Sequence, residues 1–292
     1  MIIRYQMRKT PFILLFDIDH AIIGNIGHCI NERMLLDIAF EKCKEKNITI
    51  ECDINKLNFI TELQNGLLRP NFKTFIDFCD KKFKNVEVFV YTNSSHDWTN
   101  RGLVDNIIKA SGVKINKPYF TREYSSKQKR ISFIYDDVIS VLSKKYPVLK
   151  NKKNKEDIFK NRFLIIDDIP NNYDLNSRQI VCPKYNYFAY YDIIRKMKDE
   201  YKINQEILDS PEFLNYCYRN DVPFYNTKGN EFQQDELYIS SLHISTMHWS
   251  RINNETSLKD TFFEDLIKKL KDKDRISDKI IQNINKQFDK KI

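Results

Sequence analysis

Three runs of consecutive apolar residues stand out against an otherwise polar chain, and each ends in residues able to do chemistry. They are FILLFD at 12–17, VEVFVYTN at 86–93 and RFLIIDD at 162–168. The runs are short and do not alternate with polar positions, as expected for central strands of a parallel sheet covered on both faces. Between them the apolar spacing turns helical. Residues 31–46 carry a helical stripe with Asn31 as a cap, 70–83 start at Pro70, 99–111 stop at Gly112, and Asp136 to Lys145 repeat the pattern. Strands alternating with helices predict an α/β fold, a doubly wound parallel sheet whose functional residues sit at the carboxyl ends of its strands.

Beyond Val181 the character changes. Residues 185–218 are dense in Tyr and Phe and helical in pattern, 219–257 are mixed and polar, and 258–292 read as one or two amphipathic basic helices. The expected organisation is a core over 1–200, with helical insertions near 30–66 and 131–161, followed by a mainly α-helical extension over 201–292.

Composition narrows the class. The chain has 292 residues, 41% hydrophobic and 30% charged, enough to bury a sizeable core without staples. Its six cysteines form no CxxC pair, which predicts free thiols in a reducing compartment and an intracellular protein, cytoplasmic or nuclear. The run at 12–16 is too short for a signal-peptide core, and nowhere do about 18 apolar residues follow one another, so neither secretion nor a membrane partner is expected. The formal charge of +8 is uneven: 127–162 hold 11 basic residues against 4 acidic, and 268–292 hold 9 against 4. Two such segments suit a polyanion such as nucleic acid, and equally suit solvated helix faces.

Asp17 and Asp19, two residues apart at a strand end, give two carboxylates that one tight turn aims at a common point. Asp17 is the candidate nucleophile toward phosphorus, and Asp19 the acid that protonates the leaving oxygen and then the base that activates water. Carboxylates facing a phosphate need a hard cation between them. Mg²⁺ suits an oxygen-only site, and Asp17, Asp19 through its carbonyl, and the pair Asp167 and Asp168 are the candidate ligands. Thr92 supplies a hydroxyl and Asn93 a backbone N–H for the phosphoryl oxygens.

In order and type, FDIDHAIIG, FVYTN and LIIDD resemble the motifs of the haloacid dehalogenase (HAD) superfamily. Within it the chain is similar to the branch of RNA polymerase carboxy-terminal-domain phosphatases, also called NLI-interacting-factor-like. Leu68-Arg69-Pro70 resembles that branch's RPG-type helix start, VFVYTNSSHDWTNRGLVDNI its second-motif strand and helix, and IIDDIP its VDNSP. The likeness covers about residues 10–190. It implies a HAD-like Rossmannoid core, a Mg²⁺-dependent phosphatase with an aspartyl-phosphate intermediate, and phosphoserine or phosphothreonine in a protein as substrate. It also implies a lysine that steadies the phosphoryl group. Lys129 fits best, with Lys127 and Lys144 as alternatives.

The pattern departs in one place. The family writes Glu-Thr after its second aspartate, whereas this chain has His20-Ala21 and so lacks a hydroxyl that orders the turn. That departure, with the choice of lysine open, keeps a catalytically degenerate binding or scaffold subunit as one alternative. The basic segments keep a phosphatase of nucleic-acid ends or nucleotides as another. Arg69 is a candidate phosphate contact or ion-pair partner, His20 a neighbour of the acid, and His96 a cap of the following helix. His243 and His248 are five residues apart, a poor helical spacing for zinc. Tyr185, Tyr187, Phe188, Tyr190 and Tyr191, beside Lys184, Arg195 and Lys196, suit base stacking or, more simply, core packing.

Overall fold

The computed structural model describes residues 10–24, 38–48, 59–96, 99–125, 128–170, 173–187, 202–213, 254–273 and 275–289. The three apolar runs become β1 (Phe12–Phe16), β2 (Val86–Val90) and β3 (Phe163–Asp167). A fourth strand, β4 (Gln179–Val181), completes a four-stranded sheet of order β2-β1-β3-β4, parallel throughout. The helices are α1 (Phe72–Phe83), α2 (Val104–Ser111), α3 (Ile131–Lys145), α4 (Lys152–Asn161), α5 (Phe262–Leu270) and α6 (Asp278–Asp289). The doubly wound α/β expectation holds.

Side chains alternate across a strand, so β1 feeds two cores at once. Phe12, Leu14 and Phe16 face one side with α1, α2, α5 and α6, while Ile13 and Leu15 face the other with α3 and α4. The same division runs through β3, with Leu164 and Ile166 on the first side and Phe163 and Ile165 on the second. Both faces are thus covered, which is why these strands contain no polar alternation. One buried acid interrupts β2: Glu87 faces the second side and accepts from Asn116 Nδ2 at 2.9 Å, with Lys145 and Tyr146 as its other partners.

The predicted stretch 131–161 forms the layer on that second face, through Ile131, Ile134, Val138, Leu142, Ile158 and Phe159. Helix α3 begins five residues before the predicted Asp136. Its start is fixed by Asp174, whose Oδ1 accepts from Ile131 N at 2.7 Å and whose Oδ2 accepts from Ser132 Oγ at 3.1 Å. A cap supplied from that far along the chain leaves no local sequence signal. Gly112 ends α2 as expected, at φ 69° with its N–H on Ile108 O at 2.8 Å. Of the predicted helix at 31–46, residues 38–45 are helical and 31–37 lie outside the described residues.

The C-terminal helices join the first core. The Phe263 ring lies 5.2 Å from Phe75, 5.8 Å from Phe72 and 6.3 Å from Phe16, centroid to centroid. Helix α6 covers β4: Asn285 donates to Gln179 O at 2.9 Å and accepts from Val181 N at 3.0 Å, satisfying an edge strand that would otherwise be open. Arg178 adds bonds to Phe163 O and Ile276 O, both 2.7 Å. No helix among the described residues is long and apolar enough to cross a membrane.

Phe263 is fully buried, and truncating such a ring costs the transfer energy of its atoms plus a cavity. Phe263→Ala is expected to lower the unfolding free energy by about 3–5 kcal/mol in urea titrations, with the sheet and the C-terminal helices still melting together. A loss below about 1 kcal/mol would place the ring outside the core.

Candidate active site

Strand register assembles the site. Phe16 pairs with Ile166 and with Val90, so the residues that follow on β1 and β3, Asp17 and Asp167, emerge side by side. In the order β2-β1-β3-β4 the chain leaves β1 toward β2 and later crosses to β3, so the boundary between β1 and β3 is the topological switch point. Open α/β sheets take ligands at that point.

Lys129 reaches into the gap between the two acids. Its fully buried Nζ lies 2.9 Å from Asp17 Oδ1 and 2.8 Å from Asp167 Oδ2, and 5.4 Å from the centre of the Tyr173 ring. Of the three candidate lysines, the structure places Lys129 here; Lys144 is exposed on α3, and Lys127 lies outside the described residues. Asp17 Oδ1 also accepts from Ile18 N at 2.8 Å, and Asp167 Oδ1 from Ile169 N at 2.8 Å, so both carboxylates are held in one orientation.

Asp168 completes an acidic cluster. Ligand oxygens of Asp17, Asp167 and Asp168 all lie within 4.8 Å of one another, and all three residues are buried. Asp17 and Asp167 flank one ammonium and Asp168 adds a third buried carboxyl beside them, so the acids outnumber the ion-paired base in a poorly solvated place. The donors are hard oxygens only, which fits Mg²⁺. Burial pushes the Asp17 carboxyl up to about 7, against the opposing pull of Lys129 and with Asp167 and Asp19 adding to the rise. Asp168 is also raised, by burial first and by Asp167 next.

Asp19 stands at the side of this cluster, half-buried, with its Oδ2 accepting from Ser94 Oγ at 2.8 Å. Ser94 is a residue that the motif reading passed over. Its backbone N–H also donates to Thr92 Oγ1 at 3.1 Å, so one serine ties the second-strand loop to the turn after β1. The sequence signal was the hydroxyl two positions after Thr92 in TNSS. Thr92 is fully buried, its N–H bonded to Phe120 O at 2.9 Å. Asn93 is exposed and fixed through its carbonyl, which accepts from Arg122 Nε at 2.9 Å.

The turn after Asp19 is packed from behind. His20 sits at φ 59°, its Nδ1 3.2 Å from Tyr185 O and its carbonyl accepting from Tyr185 N at 2.9 Å. Gly24 is pressed so close to the same segment that a Cβ there would meet Tyr187 O at 2.1 Å. Tyr185 is buried and bonds Gly66 O, so it packs the turn and stacks on no ligand; Phe188, Tyr190, Tyr191, Arg195 and Lys196 lie outside the described residues, as do His243 and His248. Arg69 is buried against Asp260 and faces away from solvent, which makes it an ion-pair partner. His96 is exposed, with Asn100 Nδ2 at 3.1 Å from its Nδ1 and donating to its carbonyl at 3.1 Å, while its backbone N–H donates to Glu123 Oε1 at 3.0 Å.

A parallel α/β sheet with acids at the carboxyl ends of its strands is the fold that the sequence resemblance implied. No family model matches the chain, and no curated protein does. Among solved structures the chain is similar to Fcp1, described as an essential RNA polymerase II CTD phosphatase, at 15% identity and a TM-score of 0.35 over 84% of this chain and 65% of that one. It is also similar to fission yeast Fcp1 bound to beryllium fluoride, at 13% identity and a TM-score of 0.35 over 89% of this chain and 70% of that one. The chain therefore spans less than two thirds of the first of these.

The raised Asp17 has a thermodynamic consequence. A carboxyl that binds its proton more tightly folded than unfolded disfavours the folded state at high pH, and the cost fades as pH falls from about 7 toward its ordinary value of 3.8. In metal-free buffer, Asp17→Asn is thus expected to melt above the unaltered protein at pH 8 and to lose that advantage by about pH 4. Mg²⁺ is expected to raise the melting temperature of the unaltered protein at pH 8 and not that of the variant. Equal melting curves at pH 8, with and without Mg²⁺, would remove the charge-excess account.

Proposed function

We propose that this chain is a Mg²⁺-dependent phosphomonoesterase that works through an aspartyl-phosphate on Asp17. The observation that carries the reading is the buried bridge Asp17–Lys129–Asp167 at the carboxyl edge of the sheet, with Asp168 beside it and Asp19 one turn away. A structural ion pair needs one acid per base. Here two acids share one lysine and a third, Asp168, stands beside them at a ligand-binding switch point, an arrangement better suited to a substrate and a cation than to stability.

In the first step a carboxylate oxygen of Asp17 attacks phosphorus, the bond from phosphorus to the leaving oxygen breaks, and Asp19 gives that oxygen its proton. In the second, the Asp19 carboxylate takes a proton from water, the water oxygen attacks phosphorus, and Asp17 is released as a carboxylate. Ser94 holds Asp19 at the required place in both steps. Thr92 Oγ1 accepts from Ser94 N and so keeps its own proton to donate to a non-bridging phosphoryl oxygen, with the backbone N–H of Asn93 as a second donor. Lys129 offsets the negative charge that Asp17 and the phosphoryl group share, and Asp167 fixes Lys129. Asp17, Asp168 and the Asp19 carbonyl would hold Mg²⁺, with Asp167 beside them; bound there, it would supply charge neutralisation for the phosphoryl oxygens. Ser94 also answers the departure at His20-Ala21, because it supplies from the neighbouring loop a hydroxyl that Ala21 cannot.

The sequence resemblance supports a phosphoserine or phosphothreonine side chain in a protein as the substrate.

With para-nitrophenyl phosphate, turnover is expected to require Mg²⁺, to fall by at least about a thousandfold in Asp17→Asn, and to fall roughly ten- to a hundredfold in Ser94→Ala as the acid/base loses its anchor. Unchanged turnover in Asp17→Asn would rule out the nucleophile. On natural-like substrates, kcat/KM for a phosphoserine peptide is expected to exceed that for a 5′-phosphorylated oligonucleotide. The opposite order, with a steep fall in added salt confined to the oligonucleotide, would move the substrate to nucleic-acid ends.

A further inference from the structure

The turn that carries Asp19 is braced from an unexpected quarter. Arg69 lies almost fully buried directly behind it, and its guanidinium divides its donors between two partners. Nε and Nη2 make a bidentate pair with Asp260, at 3.0 Å to Oδ1 and 2.8 Å to Oδ2. Nη1 points the other way, toward the carbonyls of His20 at 3.5 Å and Ala21 at 3.4 Å. The backbone N–H of Arg69 adds a 2.8 Å bond to Ile22 O. Aromatic rings crowd the guanidinium, with the Phe262 centroid 4.5 Å, the Tyr185 centroid 5.5 Å and the Phe263 centroid 5.8 Å away.

Asp260 and Phe262 belong to the C-terminal part of the chain, which packs on the core through α5 and α6. Asp260 is itself fixed, since its Oδ1 accepts from Phe262 N at 3.1 Å at the start of α5. A planar fork held at both Nε and Nη2 has no freedom left to swing, so the third arm is aimed. A buried ion pair is in general a weak source of stability, because desolvation of both charges offsets their attraction, and an apolar pair of similar volume often serves as well. What an apolar pair cannot do is present an oriented donor to two carbonyls of an irregular turn.

We propose that Asp260 acts, through Arg69, as a positioning residue for Asp19, so that the C-terminal helical segment is a working part of the active site. The inference rests on the phosphatase reading above, and its test is arranged so that the two can fail separately. The full-length chain is studied as Asp260→Asn, as the apolar double variant Arg69→Met/Asp260→Leu, and as the control Glu264→Gln. Glu264 is also on α5 and contacts the core through Asn71 Nδ2 at 2.9 Å, but has no link to the turn.

The expected result is a fall in kcat toward para-nitrophenyl phosphate on the order of tenfold to a hundredfold in Asp260→Asn and in the double variant, with KM changed less than about twofold. The control is expected to keep its kcat. Amide hydrogen exchange at Ile22, Ile23 and Gly24 is expected to quicken in both brace variants while the strand amides of β1 and β3 keep their protection. The double variant keeps the measurement interpretable should Asp260→Asn unfold, because it leaves no lone buried charge. Native kcat and native exchange at 22–24 in a folded double variant would overturn the proposal. Should the unaltered protein show no turnover, the phosphatase reading fails and the exchange arm alone decides: faster exchange at 22–24 sustains the brace, and native exchange removes it.

Discussion

One buried ammonium sets the terms for the rest of this molecule. Lys129 is surrounded by protein, and an unpaired charge in that position would cost several kcal/mol. Its stability therefore depends on Asp17 and Asp167 arriving together, which in turn depends on β1 and β3 pairing in the register that puts Phe16 opposite Ile166. A slip of one residue would turn every side chain of β1 to the wrong core and send Asp17 to the wrong face. Apolar packing and polar convergence thus specify the same register, and neither tolerates an alternative. The carboxyl groups that remain after Lys129 is paired are what suit the site to a cation.

Much of this was legible along the chain, for a physical reason. Strands buried on both faces must be continuously apolar, so the runs ending at Asp17, Thr92 and Asp167 declared both the sheet and the edge at which its chemistry lies. Each acid alone reads as well as a turn or helix cap, and only the order of several such strand ends along the chain singled the acids out. Lys129 was harder. It stands in a stretch with other lysines nearby, and only the fold distinguishes the one that enters the interior.

What stayed hidden was carried by contacts between residues far apart in sequence. Strand β4 is three residues long and owes its place to Asn285 and Arg178, neither of which marks it locally. The start of α3 depends on Asp174, and the anchoring of Asp19 on Ser94, each from another segment. The aromatic residues near 185 read more simply as packing than as a stacking surface, and Tyr185 is packing, its hydroxyl used inside on Gly66 O. Within the basic stretch at 127–162, Leu142, Ile158 and Phe159 turn inward and most of the lysines at 144–160 are exposed.

Gly24 carries one more implication. With the backbone of Tyr187 already inside the space a methyl group would need, that wall of the cleft has no slack. A side chain at position 24 would have to push the segment at 185–187 away, so the turn after Asp19 and that segment hold each other in place. Asn93 and His96, on the loop beyond β2, stand exposed by contrast.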